Sequence, residues 1–456
     1  MNREIPIIKL WTTESDYYVY DVYKNKILSV NKNVYLELTK LKKIGISNYL
    51  KLQDGSTSYR DTIHLIKKGF FSPSQILDIS HPWTNYANIL AERHTNNVTL
   101  QVTQNCNFKC RYCSFACDNF DRNHNDKNMT WDIAKKSLDF VYNHSKDAEF
   151  IDLGFYGGEP ILNFAIIKES VDYIKKLIEN KPIVFSLTTN AIALKQEHLD
   201  FFIKHDFNIL ISLDGPSEIH NKFRRFKETG KPTFSAVENA VKMINEQAPR
   251  YFQNRVKFNP VIVNYSDLPI VLDYFYNELG VKPNSVSPSI VNLKGTDYII
   301  NDINDISAPL AYQAILENKR KQEGENQKDL IEEVLSKCNQ ITSCYHHNGP
   351  CIPGFNRLMI DVNGDFHVCE KIQENCQLKI GSVFTGYNFK ALKGYMEIGK
   401  ISEEECKKCW AIRFCKMCIC ECLDHNGKLS NAEKVKSCEE QKQRVLSHLK
   451  EYVRKN

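Results

Sequence analysis

The placement of cysteine constrains this 456-residue chain more than any other feature of its sequence. Sixteen cysteines are present and none precedes residue 106; four fall between Cys106 and Cys117, and the other twelve between Cys338 and Cys438. The first apolar run, IPIIKLW, is cut by Lys9 and lacks the features of a secretory signal, and no stretch approaches the roughly 18 uninterrupted apolar residues of a membrane span. A cytoplasmic protein without membrane association is therefore expected. In a reducing compartment so many thiols point to metal or cluster ligation rather than disulfides. Two separate ligand-bearing regions follow.

The length exceeds one ordinary core, so attachments are expected at both ends of a larger central domain. Residues 1–92 begin with the alternating runs YYVYDVY and KILSV and continue through the helical patterns VYLELTKLKKI and TIHLIKKGF, which predicts a small α+β module. Residues 93–300 alternate strand and helix: VTLQVT, IDLGFY, IVFSLTT, NILISL, VKFNPVIV and SVSPSIV, each of the first five followed by a helical stretch. Six strands in this order predict an α/β fold with a parallel sheet, closed as a partial (β/α)6 barrel whose active residues lie at the carboxyl ends of the strands. Residues 301–343 form a polar bridging region, residues 344–440 the cysteine-rich region, and residues 441–456 a terminal helix. The 60 basic and 55 acidic residues are interspersed, predict no strong field, and give no reason to expect nucleic acid.

Directly after the first barrel strand stands Cys106-Asn-Phe-Lys-Cys110-Arg-Tyr-Cys113. Three thiolates can hold three irons of a [4Fe-4S] cluster and leave the fourth iron open to an outside ligand. A zinc site is the alternative and needs a fourth ligand, which Cys117 can supply. The second strand ends in Gly157-Gly158-Glu159-Pro160, the third in Thr188-Thr189-Asn190, and the fourth in Ser212-Leu-Asp214-Gly215, followed by Arg224. In this order the motifs resemble the radical S-adenosylmethionine (SAM) superfamily. The resemblance implies that Cys106, Cys110 and Cys113 bind the cluster and that its open iron is chelated by the methionine portion of SAM. It also implies that Gly157, Gly158 and Glu159 lie at the SAM amino group. Thr188, Asn190, Ser212 and Asp214 then belong to the site that takes the SAM ribose or carboxylate, Arg224 neutralises the carboxylate, and Tyr112 lies near adenine.

The later cysteines read Cys351-x12-Gly364-x4-Cys369, then Cys406-x2-Cys409-x5-Cys415, with Cys438 further on. This resembles the SPASM extension of peptide-modifying radical SAM enzymes, which holds two auxiliary [4Fe-4S] clusters. Carried over, the outer cluster takes Cys406, Cys409, Cys415 and Cys438, and the inner one Cys344, Cys351, Cys369 and one cysteine near 419. The family's position falls on Ile419, so Cys418 is the nearest compatible choice and Cys420 its rival; Cys338 competes with Cys344. Glu370, next to Cys369, stands where related sulfatase-maturing enzymes carry an acidic residue read as a base.

By the same resemblance the chain is an enzyme that cleaves SAM to a 5'-deoxyadenosyl radical with an electron from flavodoxin or ferredoxin. Residues 1–92 resemble the leader-binding domain of ribosomal-peptide maturases, so the expected partner is a precursor peptide with a leader, modified by oxidative thioether or carbon-carbon crosslinking. A sulfatase-type formylglycine maturase is the enzymatic alternative, and a non-catalytic zinc-binding scaffold the alternative of another class.

Overall fold

A computed structural model describes residues 4–113, 125–291, 330–336, 341–347, 349, 351–372, 379–424 and 427–455. Most of the bridging region 301–343, together with Cys117, Cys338 and Cys376, lies outside the described residues.

The chain opens with an antiparallel sheet, β1 (Ile8–Thr12), β2 (Tyr17–Asp21) and β3 (Lys26–Val30), followed by helices α1 (Lys32–Ile44), α2 (Ile46–Leu50) and α3 (Thr57–Lys67). The end of the apolar run IPIIKLW, not expected as a strand, falls in β1. Side chains on a strand alternate between faces, and here the two faces have different partners. Ile8, Leu10 and Val19 pack with Val34, Leu38 and Leu41 of α1. Ile7, Trp11, Tyr20 and Val22 pack instead with Phe414 and Ile412 from the cysteine-rich region and with Ile331 and Val334 of the helix Leu330–Ser336. The Tyr20 and Phe414 rings lie 5.2 Å apart, and Arg413 Nε donates to Val22 O at 2.7 Å. After Phe71 the chain leaves this module, and β4 (Asp78–Ile79) pairs in parallel with β12 (Cys344–Tyr345). Helix α4 (Ala87–Arg93) then packs on Leu392 and Met396.

The central sheet contains β5 (Asn97–Thr103), β6 (Ile151–Gly157), β7 (Ile183–Thr189), β8 (Asn208–Ile211) and β9 (Val256–Phe258), all parallel. Helices α5 (Trp131–His144), α6 (Phe164–Leu177), α7 (Gln196–Lys204), α8 (Ser217–Phe223), α9 (Phe234–Gln247), α10 (Pro249–Arg255) and α11 (Leu268–Asp273) run between or after these strands. Each long helix presents an apolar stripe to the sheet: α6 buries Ile166, Ile167, Val171 and Ile174, the spacing of one helical face. Thr130 caps α5 by accepting from Ile133 N at 3.4 Å. VKFNPVIV, read as one strand, is broken into β9 and β10 (Val261–Ile262) around Asn259-Pro260, because proline has no N–H for the ladder. The last strand, β11 (Ser289–Ile290), joins through β10 and a single bridge between Phe258 and Val286.

The cysteine-rich region extends this same sheet. Strand β13 (Leu358–Ile360) pairs in parallel with β5, and β14 (Asp365–His367), β15 (Gly381–Ser382) and β16 (Gly386–Tyr387) follow antiparallel, giving nine strands among the described residues. The terminal helix starts at Asn431, not at 441, and so carries Cys438. Phe366 is fully buried where the added strands meet the barrel, 4.6 Å from the Phe140 ring and 5.5 Å from that of Tyr387. Phe366→Ala is expected to cost about 3–5 kcal/mol of stability, read as a lower denaturant midpoint at unchanged slope.

Candidate functional site

The loop that leaves β5 carries Cys106, Cys110 and Cys113 and is sewn to the chain that follows α8. Lys109 N donates to Arg225 O and Arg111 N to Phe223 O, both at 2.9 Å, and Lys227 N returns to Asn107 O at 2.9 Å. Cys106 is buried, and Cys110 and Cys113 are half-buried. Burial pushes the Cys106 thiol up to about 12, with the charges of Glu159 and Cys113 acting in the same direction. Burial also raises the Cys110 thiol, against the opposing pull of Arg224.

The end of β6 lies against this loop so closely that only glycine fits. Gly157 has φ of +143°, and a Cβ there would stand 2.0 Å from Thr103 O; a Cβ on Gly158 would stand 2.2 Å from Asn105 O. Gly158 N and Glu159 N donate to Thr103 O and Asn105 O at 2.9 and 2.8 Å. The Glu159 carboxylate is fully buried and accepts from Thr189 Oγ1 at 2.6 Å, Asn190 N at 2.7 Å and Ile161 N at 3.2 Å. Burial raises its pKa to about 7 in spite of these three donors. Glu159 thus ties the end of β6 to the end of β7. Asn190 Nδ2 continues the network to Asn107 Oδ1 at 2.7 Å, inside the cysteine loop.

At the end of β8, Asp214 is the acceptor for a second buried network. Arg224 grips it with two bonds, Nε to Oδ2 at 2.8 Å and Nη2 to Oδ1 at 2.9 Å; the Tyr112 hydroxyl donates to Oδ2, and Val261 N donates to Oδ1 at 3.0 Å. Burial alone raises the Asp214 carboxyl, but the charge of Arg224 and the bonds it makes outweigh this and leave it below the ordinary carboxylate range. The third guanidinium nitrogen, Nη1, lies 4.0 Å from Cys110 Sγ, and the guanidinium stands 5.4 Å from the centre of the Tyr112 ring. Arg224 therefore bridges Asp214 and a cysteine of the loop. Ser212 N donates to Thr189 O at 2.9 Å, and the side chains of Ser212 and Thr188 are half-buried at the same strand ends.

The structure draws in residues that the motifs did not single out. Thr189 and Asn107 complete the Glu159 network. His220 accepts from Asp214 N through Nδ1 at 3.3 Å and meets Thr233 Oγ1 through Nε2 at 3.0 Å; burial lowers its pKa to about 4, so it is neutral. A histidine six residues after the aspartate, on a short helix, gave no distinguishing signal in the sequence.

Among the later cysteines, Cys406, Cys409, Cys415 and Cys438 are brought into mutual electrostatic contact. Burial raises the Cys409 thiol to about 11. The Lys434 ammonium is buried beside them, with Nζ bonded to Ile398 O at 2.7 Å and 3.6 Å from Cys406 Sγ. A second set joins Cys351, Cys369, Cys418 and Cys420. Arg357 stands against this set and donates through Nη2 to Glu370 Oε1, so the acidic residue after Cys369 is ion-paired. Cys344 is not brought to either set.

Thiols are the donors that iron-sulfur clusters take, and a guanidinium or ammonium lies beside every set to balance thiolate charge. Among the described residues no group of three or more cysteine, histidine or carboxylate side chains is gathered as a metal site. Ser212 and Thr188 are half-buried at the strand ends that face the loop of Cys106, Cys110 and Cys113.

These features define a class: a parallel partial barrel with a three-cysteine loop at the carboxyl end of its first strand and a cysteine-rich extension on the same sheet. Residues 100–264 match the model described as the Radical SAM superfamily. It is 26% identical over 361 residues to a cysteine-type anaerobic sulfatase-maturating enzyme of Clostridium perfringens, covering 71% of this chain and 88% of that protein. The first two curated relatives match over 137 and 155 residues, and the chain spans only 44% and 40% of their lengths. The solved structure of native anSMEcpe with bound AdoMet shares the fold, with a TM-score of 0.58, 22% identity, and coverage of 78% of this chain and 98% of that one. Streptococcus suis SuiB bound to S-adenosylmethionine matches with a TM-score of 0.50 and 16% identity, over 91% of this chain and 94% of its own.

Removing one member of the Asp214–Arg224 pair leaves a buried charge without its partner. Arg224→Met and Asp214→Asn are each expected to cost about 3–5 kcal/mol. The double variant is expected to cost less than the sum of the two, which denaturant unfolding in a double-mutant cycle measures.

Proposed function

We propose that this chain modifies a precursor peptide by radical chemistry, forming a thioether or carbon-carbon crosslink by oxidation. The observation that carries the reading is the N-terminal three-stranded sheet. Its strand β3 is hydrogen-bonded on one side only among the described residues, while its far face shares a core with the outer cysteine loop. An extended peptide can add to such an edge through main-chain hydrogen bonds, with alternate side chains read by neighbouring pockets. A leader held at Lys26–Val30 would be tethered to the same body that holds the cysteines.

When bound, SAM and the cluster of Cys106, Cys110 and Cys113 supply a 5'-deoxyadenosyl radical that takes a hydrogen atom from an unactivated carbon. The residues of this chain have three other tasks. Arg224, gripped by Asp214, holds positive charge beside Cys110, and Glu159 fixes the ends of β6 and β7 around the loop. The buried barrel interior keeps water and stray hydrogen donors away from the reacting carbon. Glu370, ion-paired with Arg357 next to Cys369, is read as the acceptor of a substrate proton as oxidation proceeds. The two later cysteine sets are read as auxiliary clusters that take up the second electron, and a flavodoxin or ferredoxin is the expected donor of the first.

A formylglycine-type maturase is the second reading, favoured by the match to the sulfatase-maturating enzyme over 88% of its length. Structures of that fold neighbour include one with bound Kp18Cys peptide. The SuiB likeness reaches further along this chain, 91% against 78%, which favours a substrate handled through the additional N-terminal module.

Anaerobically reconstituted and reduced protein is expected to hold about twelve irons per chain and to convert SAM to 5'-deoxyadenosine. The Cys106→Ala, Cys110→Ala, Cys113→Ala variant should keep about eight irons and form none of the nucleoside. Wild type that is fully loaded with iron yet inert toward SAM would overturn the catalytic reading.

A further inference from the structure

We infer that His220 and Thr233 are positioning residues: bonded to each other, they set where the Asp214–Arg224 pair stands against the loop of Cys106, Cys110 and Cys113. The inference rests on the reading of that loop as the holder of a redox cluster, given above, and adds to it two residues that no motif singles out.

Proton placement gives the chain of bonds one direction. Asp214 N donates to His220 Nδ1 at 3.3 Å, so Nδ1 is the bare nitrogen of a neutral imidazole and Nε2 carries the proton. Nε2 lies 3.0 Å from Thr233 Oγ1 and donates to it. The threonine hydroxyl in turn donates its own hydrogen to Arg224 O at 3.1 Å. The chain thus starts at the backbone of Asp214 and ends at the backbone of Arg224, the two residues whose side chains form the ion pair. Arg224 is also held through its amide, which donates to His220 O at 3.1 Å. His220, Thr233 and Asp214 have no exposed surface and Arg224 is 7% exposed, so a bond lost here leaves a buried polar group unpaired.

The Thr233 hydroxyl is diverted to this chain from an ordinary duty. Thr233 is the N-cap of α9, where a threonine usually accepts from the first turn of its helix. Its side chain makes no such bond. The amides at that end are met from α8 instead, where Asn221 Oδ1 accepts from Thr233 N at 3.1 Å and from Phe234 N at 3.0 Å. The segment held in this way is the one sewn to the cysteine loop: on either side of Arg224, Phe223 O and Arg225 O accept from Arg111 N and Lys109 N, both at 2.9 Å. Arg224 Nη1 stands 4.0 Å from Cys110 Sγ. A shift of Asp214 or Arg224 therefore moves positive charge relative to Cys110. Positive charge beside a cluster ligand makes the cluster easier to reduce, because reduction adds negative charge.

The test uses the full chain with Thr233→Val, which nearly keeps the side-chain volume and removes the hydroxyl, and Thr233→Ser, which keeps the hydroxyl. The first readout is the reduction potential of the reconstituted cluster whose EPR signal changes on addition of SAM. Thr233→Val is expected to shift that potential downward at unchanged iron content. It should also slow 5'-deoxyadenosine formation by about tenfold to about 100-fold, with Thr233→Ser within about twofold of wild type. The second readout needs no cluster: a denaturant double-mutant cycle on full-length protein as purified, pairing Thr233→Val with Arg224→Met. The two losses should fall short of additive, since both residues belong to one network. An unchanged or higher potential in folded Thr233→Val, a Thr233→Ser variant equally impaired, or strict additivity in the cycle overturns the inference. If Thr233→Val does not fold, His220→Gln takes its place; it keeps a donor toward Thr233, loses the acceptor for Asp214 N, and should give the same downward shift. Wild type without a SAM-sensitive cluster would instead remove the redox reading, and the cycle alone would then decide the positioning.

Discussion

Strand β5 is hydrogen-bonded along both edges, to β6 on one side and to β13 on the other, and the rest of the molecule is arranged around that fact. Its carboxyl end feeds the loop of Cys106, Cys110 and Cys113. Its outer edge takes up β13, from the region that carries the later cysteines. Two groups of ligands separated by more than two hundred residues in the chain are therefore built on one sheet rather than on two domains joined by a linker. Val98 and Leu100, fully buried in β5, and Leu358 and Ile360 in β13 make the join part of the main core.

Around the first cysteine loop, the two buried carboxylates are each met by several donors. Glu159 and Asp214 are both carboxylates without exposed surface, yet their environments push them in opposite directions. Glu159 has only neutral donors, so desolvation dominates; Asp214 has a guanidinium, so charge pairing dominates. The first works as a brace between strand ends. The second fixes a cation beside a thiol, which suits a ligand of an anionic cluster.

Much of this was legible because cysteine spacing, Gly-Gly pairs and strand-helix alternation are local signals with local causes. The strands of the barrel fell where the apolar runs stood, and the clash that a Cβ would suffer at Gly157 and Gly158 explains why that motif needs glycine. What escaped was set by contacts distant in sequence. Strand β13 is three residues long and has no periodicity to read; it exists because β5 offers an edge. Arg224 was expected at a ligand carboxylate, and its pairing with Asp214 follows from a fold that brings α8 back over the strand end. The family spacing points at Ile419, but an isoleucine has its own use for an apolar core, and there it is buried. Thr189, Asn107 and His220 are ordinary residues made specific by burial.

The two-faced N-terminal sheet has a consequence for how such a chain can be recombined. One face of β1 and β2 is completed by its own helix α1, but the other is completed by Phe414 and Ile412, which lie between Cys409 and Cys415. An N-terminal module of this construction is not a portable cassette. Grafted onto another barrel, it would arrive with an unfinished interior, and the recipient's cysteine loop would lose the wall it folds against. Exchange of the module between relatives is therefore constrained to move it and that loop together, so that the N-terminal sheet and the region around the outer cysteines share one inheritance.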